Sequence, residues 1–166
     1  MTQPKTDELT GGCQCGAVRF RAESLGRASI CHCRMCQKAT GNLFAALVGV
    51  GHENLTWTRG NPAEFRSSEH VGRGFCPNCG TPLYYRYDGG QHISFTIGAF
   101  DEPHRIPLLY QMGLEGKHPS LFHLGDVEEV GTTEAAMEDE AAAIKRSNNQ
   151  HPDHDTDHWT PRPSTV

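Results

Sequence analysis

Seven cysteines in three knots carry the chemistry of this 166-residue sequence. The first knot is Cys13-Gln14-Cys15-Gly16, the second Cys31-His32-Cys33-Arg34-Met35-Cys36 and the third Cys76-Pro77-Asn78-Cys79-Gly80. Thiolates are soft ligands, and a tetrahedral zinc ion takes four of them at about 2.3 Å. A Cys-x-x-Cys pair closed by glycine, as at Cys76 and Cys79, is a knuckle that aims both sulfurs at one point. Cys13 and Cys15 can do the same with one fewer spacer. The outer knots together supply four sulfurs, enough for a closed structural zinc site that ties Cys13 to Cys79 and contributes folding free energy outright.

Cys31, Cys33 and Cys36 are then one ligand short of four. Three protein ligands with an exchangeable fourth position are the arrangement of a catalytic zinc, so two zinc ions per chain are expected. Three thiolates around a divalent ion leave a formal charge of −1. Such a centre polarises a carbonyl poorly and generates hydroxide poorly. It can still take a fourth thiol and hold it as thiolate, because a coordinated thiol is deprotonated outright. The chemistry expected is activation of a substrate thiol rather than hydrolysis. Two other readings stay open: Cys33 and Cys36 have the spacing of a redox dithiol, and His32 or another histidine could close the site structurally.

The elements that must position these knots read as short strands. Residues 17–22 and 63–68 alternate apolar and polar, the period of a half-buried strand. Residues 44–50 form a nearly continuous apolar run, expected to be buried on both faces. Residues 55–58 follow as a strand ended by the turn-forming Arg59-Gly60-Asn61-Pro62, and residues 28–30 lead into the central knot. Residues 82–87 and 92–97 flank Asp88-Gly89-Gly90-Gln91 as a hairpin, and 108–112 makes a further short strand. The expected architecture is a mainly β, largely antiparallel domain over residues 10–131, preceded by a flexible lead-in at 1–9. Residues 132–166 have a different composition. Residues 133–146 combine strong helix formers with acids early and Lys145-Arg146 late, which suits the helix dipole. Residues 147–166 contain no Leu, Ile, Phe or Met and are expected to be a flexible tail.

Composition excludes several classes. The net charge is −5, of which −4 falls after residue 131, where seven acids face three bases. No basic patch of the kind nucleic-acid binding needs is present, and no apolar run approaches the roughly 20 residues that cross a bilayer. The first residues hold no apolar stretch of a secretory signal. A cytoplasmic location is expected, where clustered cysteines serve metals or catalysis more than disulfides. The partner expected is a small molecule or a protein. No oligomeric state follows.

Three stretches give the sequence a specific likeness: residues 11–20 around the first knot, the central knot with Thr40-Gly41, and Phe75-Cys76-Pro77-Asn78-Cys79-Gly80-Thr81-Pro82-Leu83. With Gly98-Ala99-Phe100-Asp101-Glu102-Pro103 as a weaker match, the chain resembles the glutathione-dependent formaldehyde-activating enzyme family, the CENP-V/GFA domain, over roughly residues 10–110. The resemblance implies an Mss4-like β fold. It implies a structural zinc on Cys13, Cys15, Cys76 and Cys79, and a catalytic zinc on Cys31, Cys33 and Cys36. It also implies a carbon–sulfur lyase reaction that joins glutathione to formaldehyde as S-hydroxymethylglutathione or reverses that step. A non-catalytic zinc module that binds a protein is the competing reading.

Other residues fit this frame less tightly. His32 could orient a ligand, line the pocket or lie exposed. Arg34 and Lys38 are the cations nearest the central knot for the carboxylates of a peptide thiol, with ordinary surface charge as the plainer account. Asp101 is expected to cap a turn before Pro103. Tyr84, Tyr85 and Tyr87 are expected to pack along a strand pair, and His151, His154 and His158 to lie in a solvated tail.

Overall fold

The computed structural model describes residues 8–162. Two sheets form the body. Strands β1 (Leu9–Gly12), β2 (Arg19–Ala22) and β5 (Leu55–Arg59) make a three-stranded sheet in the order β1-β2-β5. The larger sheet contains β3 (Ala28–Cys31), β4 (Ala45–Gly51), β6 (Ala63–Ser68), β7 (Val71–Phe75), β8 (Pro82–Tyr87), β9 (His92–Thr96) and β10 (Leu108–Met112). Its order is β10-β3-β4-β9-β8-β7-β6. Every pairing is antiparallel except that of β10 with β3, which is parallel and places β10 at the edge.

The core lies between the sheets. Phe20 from β2 meets Phe95 of β9 at 4.4 Å and Phe100 at 5.1 Å between ring centroids, the offset and edge-on geometry that aromatic rings prefer. Leu9, Val48, Val50 and Leu83 complete it, each almost wholly buried. The expectation that residues 44–50 are buried on both faces is corrected here. Val48 and Val50 point into the core, while Leu47, Gly49 and Gly51 line an open cavity on the opposite face. The strand therefore has the period of two that its apolar composition hides.

A seven-residue helix, α1 (Arg34–Thr40), follows the central knot and ends on Gly41 in the left-handed conformation, φ 64°. Glycine is the usual residue there because it has no Cβ to clash. The expected acidic helix is present as two pieces, α2 (Thr133–Ala136) and α3 (Glu138–Ser147), interrupted at Met137, and neither buries a residue. No helix among the described residues is long and apolar enough to cross a membrane.

Both chain-end expectations change. Most of the lead-in lies outside the described residues, but Leu9 begins β1 and is 1% exposed. Residues 151–162 do not float as a tail: they lie as a strap across the first cysteine knot. His151 N–H donates to the Gln14 carbonyl at 2.7 Å, and the Trp159 indole donates to the Cys15 carbonyl at 2.8 Å. Arg59 donates to the Thr156 carbonyl and hydroxyl, and Asp155 pairs with Arg19 at 2.8 Å. The segment lacks aliphatic residues, yet His151 stacks edge-on to Trp159 at 4.6 Å and buries itself to 4% exposure. Composition alone does not register such contacts.

Candidate functional site

The sulfurs of Cys13, Cys15, Cys76 and Cys79 lie within 4.8 Å of one another. Cys13 and Cys15 are supplied by the turn after β1, Cys76 and Cys79 by the turn between β7 and β8. The two knuckles repeat one backbone pattern. Cys13 N–H donates to the carbonyl of Val18 and Cys76 N–H to that of Thr81, each five residues on. Gly16 and Gly80, both at positive φ, close the turns by donating to the carbonyls of Cys13 and Cys76. Sulfur separations of 3.6 Å (Cys13 to Cys15) and 3.8 Å (Cys15 to Cys76) match a tetrahedron of thiolates at about 2.3 Å from an ion, whose edge is about 3.8 Å.

Each of the four sulfurs also has a donor aimed at it. Val18 N–H meets Cys13 at 3.3 Å, and Asn78 Nδ2 meets Cys15 at 3.2 Å. Asn78 N–H meets Cys76 at 3.4 Å, and the Thr81 hydroxyl meets Cys79 at 3.1 Å. Burial pushes the Cys13 thiol up. At Cys79 burial also opposes ionisation, but the Thr81 hydroxyl and amide outweigh it and lower the thiol to about 6. A shell of donors around sulfurs that are buried in all but Cys79 suits thiolate ligands, and the cluster could hold a metal ion.

The sulfurs of Cys31, Cys33 and Cys36 form the second cluster, again within 4.8 Å of one another. Cys31 ends β3, Cys33 precedes α1 and Cys36 lies in the first turn of that helix. Cys31 and Cys36 are buried and Cys33 is half-buried. Burial raises Cys31 to about 12. At Cys33 burial works the same way, but backbone N–H donors beginning with that of Cys36 outweigh it and the pKa falls. Arg73, on β7, reaches across so that its Nη2 sits 3.6 Å from the Cys36 sulfur, with the guanidinium over the Tyr85 ring at 5.2 Å. This cluster could also hold a metal ion. It opens into a cavity of about 970 Å³, while Cys13 and Cys79 of the first cluster line a smaller one of about 480 Å³.

The floor of that cavity is one face of the large sheet. Alternation places Arg27, Ser29 and Cys31 on the same side of β3 and its approach, and Gly49, Ser94 and Tyr85 continue that face across the sheet. Small residues at the centre leave the volume open.

The remaining expected residues separate clearly. His32 is neither a pocket wall nor exposed: it is 1% exposed, stacks edge-on to Phe44, and its Nε2–H donates to the Gln111 side-chain oxygen at 2.9 Å. Its Nδ1 has no partner among the described residues. It fastens the knot to β10 and provides no fourth ligand. Arg34 and Lys38 line an adjoining groove with Phe65 and Arg73, outside the main cavity. Asp101 does not cap its turn with its side chain. It receives both outer nitrogens of Arg19, at 2.8 and 2.5 Å, and the Thr10 hydroxyl. The tyrosines divide: Tyr84 packs on Phe95 in the core, Tyr85 carries Arg73, and Tyr87 is exposed. His154 and His158 are exposed, whereas His151 is buried in the strap. Sequence reasoning missed Arg27 and Arg73. The Gly72-Arg73-Gly74 sequence was a usable signal for Arg73, since a Cβ at either glycine would strike the side chain of Glu64 or Tyr84.

Fold and site define a small β protein built on one four-sulfur and one three-sulfur cysteine cluster. Residues 8–112 match the family described as glutathione-dependent formaldehyde-activating enzyme, and the chain belongs to that family. A Schizosaccharomyces pombe protein named as an uncharacterized lyase is 32% identical over 89 residues, 53% of this chain; the match spans 64% of that relative. A crystal structure of a Rhodobacter sphaeroides protein shares the fold, with TM-score 0.52 and 20% identity, over 63% of this chain and all of the other.

Proposed function

We propose that the protein is a zinc-dependent carbon–sulfur lyase that forms or breaks an adduct between a thiol and a small aldehyde. By family, the pair is glutathione and formaldehyde, giving S-hydroxymethylglutathione. Cys13, Cys15, Cys76 and Cys79 would hold the structural ion, and Cys31, Cys33 and Cys36 the catalytic one. The observation that carries this reading is the contrast between the clusters: the first brings four sulfurs together, enough to fill a tetrahedral ion, whereas the second brings three and opens on the larger cavity. Held by Cys31, Cys33 and Cys36, a zinc ion would leave one position for a substrate thiol and would favour its ionised form at neutral pH.

The chain's own groups make that ionisation tolerable. A substrate thiolate added to three cysteine thiolates would leave the site with excess negative charge, which the Arg73 guanidinium, 3.6 Å from the Cys36 sulfur, would partly offset. In the forward direction the sulfur lone pair forms a C–S bond to the aldehyde carbon. The C=O π pair moves to oxygen, which takes a proton to complete the hydroxymethyl thioether. The reverse step returns that proton and breaks the C–S bond. A cytoplasmic setting, which keeps all seven thiols reduced, is part of the proposal.

The test joins metal content to exchange kinetics. The wild-type chain should carry two zinc ions and accelerate glutathione–formaldehyde exchange in NMR exchange spectra. Cys36→Ala should retain one ion and a folded domain but lose the acceleration, whereas Cys79→Ala should unfold the domain. One zinc per wild-type chain with unchanged exchange would leave a non-catalytic zinc module as the better account.

A further inference from the structure

The cavity holds two charges that the cysteine clusters do not use. Arg27 immediately precedes β3 on the face that carries Ser29 and Cys31, and Glu53 lies just after β4. Both line the cavity. The backbone brings their segments together: Gly26 N–H donates to the Gly49 carbonyl and Glu23 N–H to the Asn54 carbonyl. The Arg27 guanidinium lies over the Tyr110 ring at 4.9 Å, which holds it without consuming its donors. Neither Arg27 nor Glu53 has an ion-pair partner among the described residues. Apart from the three cysteines and Tyr85 and Tyr110, the other titratable side chains of the cavity, Arg73 and His92, are placed differently. Arg73 meets Cys36, and His92 lies on β9, paired with Gly51.

Distance along the strand decides what these charges can reach. Tyr110 pairs with Ser29, two residues or about 7 Å from Cys31, and Arg27 itself starts about 13 Å from Cys31. The guanidinium over the Tyr110 ring is thus roughly one short molecule away from the open cluster. In a γ-glutamyl thiol, eight bonds separate the cysteine sulfur from the α-carboxylate carbon, a reach of about 10 Å when extended. A carboxylate and an ammonium on one carbon call for an Arg and an acid on one wall, and Arg27 and Glu53 line the same cavity on segments joined by backbone hydrogen bonds.

We infer that Arg27 and Glu53 form a recognition site for the α-amino-acid end of the thiol substrate, Arg27 receiving the carboxylate and Glu53 the ammonium. The inference rests on the proposed reaction for the location of the thiol, and it names the substrate class as peptide thiols with a free α-amino acid at the γ-glutamyl distance. Arg27 and Glu53 determine specificity; they do not touch the reacting atoms.

The experiment uses the zinc-loaded full chain with Arg27→Gln and Glu53→Gln, each with metal content checked. Binding of S-methylglutathione, which cannot offer a thiolate, is followed by NMR titration. Exchange with formaldehyde is followed for glutathione, γ-glutamylcysteine and cysteinylglycine. Arg27→Gln should weaken S-methylglutathione about tenfold or more, and raise KM for the two γ-glutamyl thiols by a similar factor at nearly constant kcat. Glu53→Gln should act in the same direction, and cysteinylglycine should change less than about twofold in both variants. Equal losses for all three thiols, or unchanged S-methylglutathione binding in Arg27→Gln, would overturn the site. Absence of exchange with any thiol would instead overturn the reaction, while the S-methylglutathione titration would still decide the site.

Discussion

Replacing Asp101 with Asn isolates the one deeply buried ion pair among the described residues and tests whether it fastens β1 and the strap to the core. Arg19 is 3% exposed and Asp101 7%, and together they form a two-pronged contact that also receives the Thr10 hydroxyl. Removing one partner of a buried pair costs about 3–5 kcal/mol, because the remaining charge is left uncompensated. Here Asp155 still holds Arg19 at 2.8 Å and is 38% exposed, and asparagine still accepts one hydrogen bond. The expected loss is therefore smaller, about 2–3 kcal/mol, or a fall in Tm of roughly 4–12 °C for a domain of this size. Urea unfolding at matched zinc content measures it. The pH dependence is fixed in sign: burial raises the Asp101 carboxyl, but Arg19 outweighs burial and holds it below its ordinary value of 3.8. Its contribution is fully present above that value and is lost as pH falls through the folded pKa. The gap between wild type and variant should thus be flat from pH 5 to 8. A loss under about 0.5 kcal/mol, the range of an ordinary surface substitution, or a gap that closes within that window, would refute this account of the pair.

Three other perturbations separate the two cysteine clusters, under the proposal that each holds zinc. Gly113→Ala combines a backbone at φ 65° with a Cβ 2.7 Å from the Cys33 amide, so it should lower zinc occupancy at the three-sulfur cluster and spare the four-sulfur one, read by metal analysis and chelator titration. Arg73→Met removes the cation beside Cys36 and should weaken zinc at that cluster about 10–100-fold, the usual effect of losing a group that supports a metal ligand, in chelator competition. Deleting residues 150–166 removes the donors from His151 and Trp159 to the knuckle carbonyls of Gln14 and Cys15. At about 1 kcal/mol each, their loss should speed chelator removal of the four-sulfur zinc by roughly 10–30-fold.

Much of this architecture is legible in the sequence because cysteine spacing and strand alternation are local signals. Knuckles closed by Gly16 and Gly80, the 82–87 and 92–96 hairpin, and the division of seven sulfurs into four and three need no tertiary information. The helix at 34–40 escapes notice because the cysteines within and before it dominate the pattern, although Gly41 marks its end. Arg27 and Arg73 reach the cavity only through tertiary structure, Arg27 beside the parallel edge strand β10 and Arg73 on β7, four strands from β3 in the sheet order. The strap is hidden for a different reason. Its hold on the domain comes from hydrogen bonds to backbone carbonyls and from arginines 92 or more positions away, which no composition window senses.

The strap also changes what a break in the backbone would mean. Residues 128–149 are almost entirely exposed, and both sides of that stretch are anchored, through β10 on one side and His151 to Trp159 on the other. A protease that cuts there would leave two polypeptides still held together. They would sediment as one particle, and only a denaturing gel would show the cut. The acidic helix is therefore a handle fixed at both ends: a ligand pulling on it would load the first cysteine knot from one side and the edge of the cavity from the other.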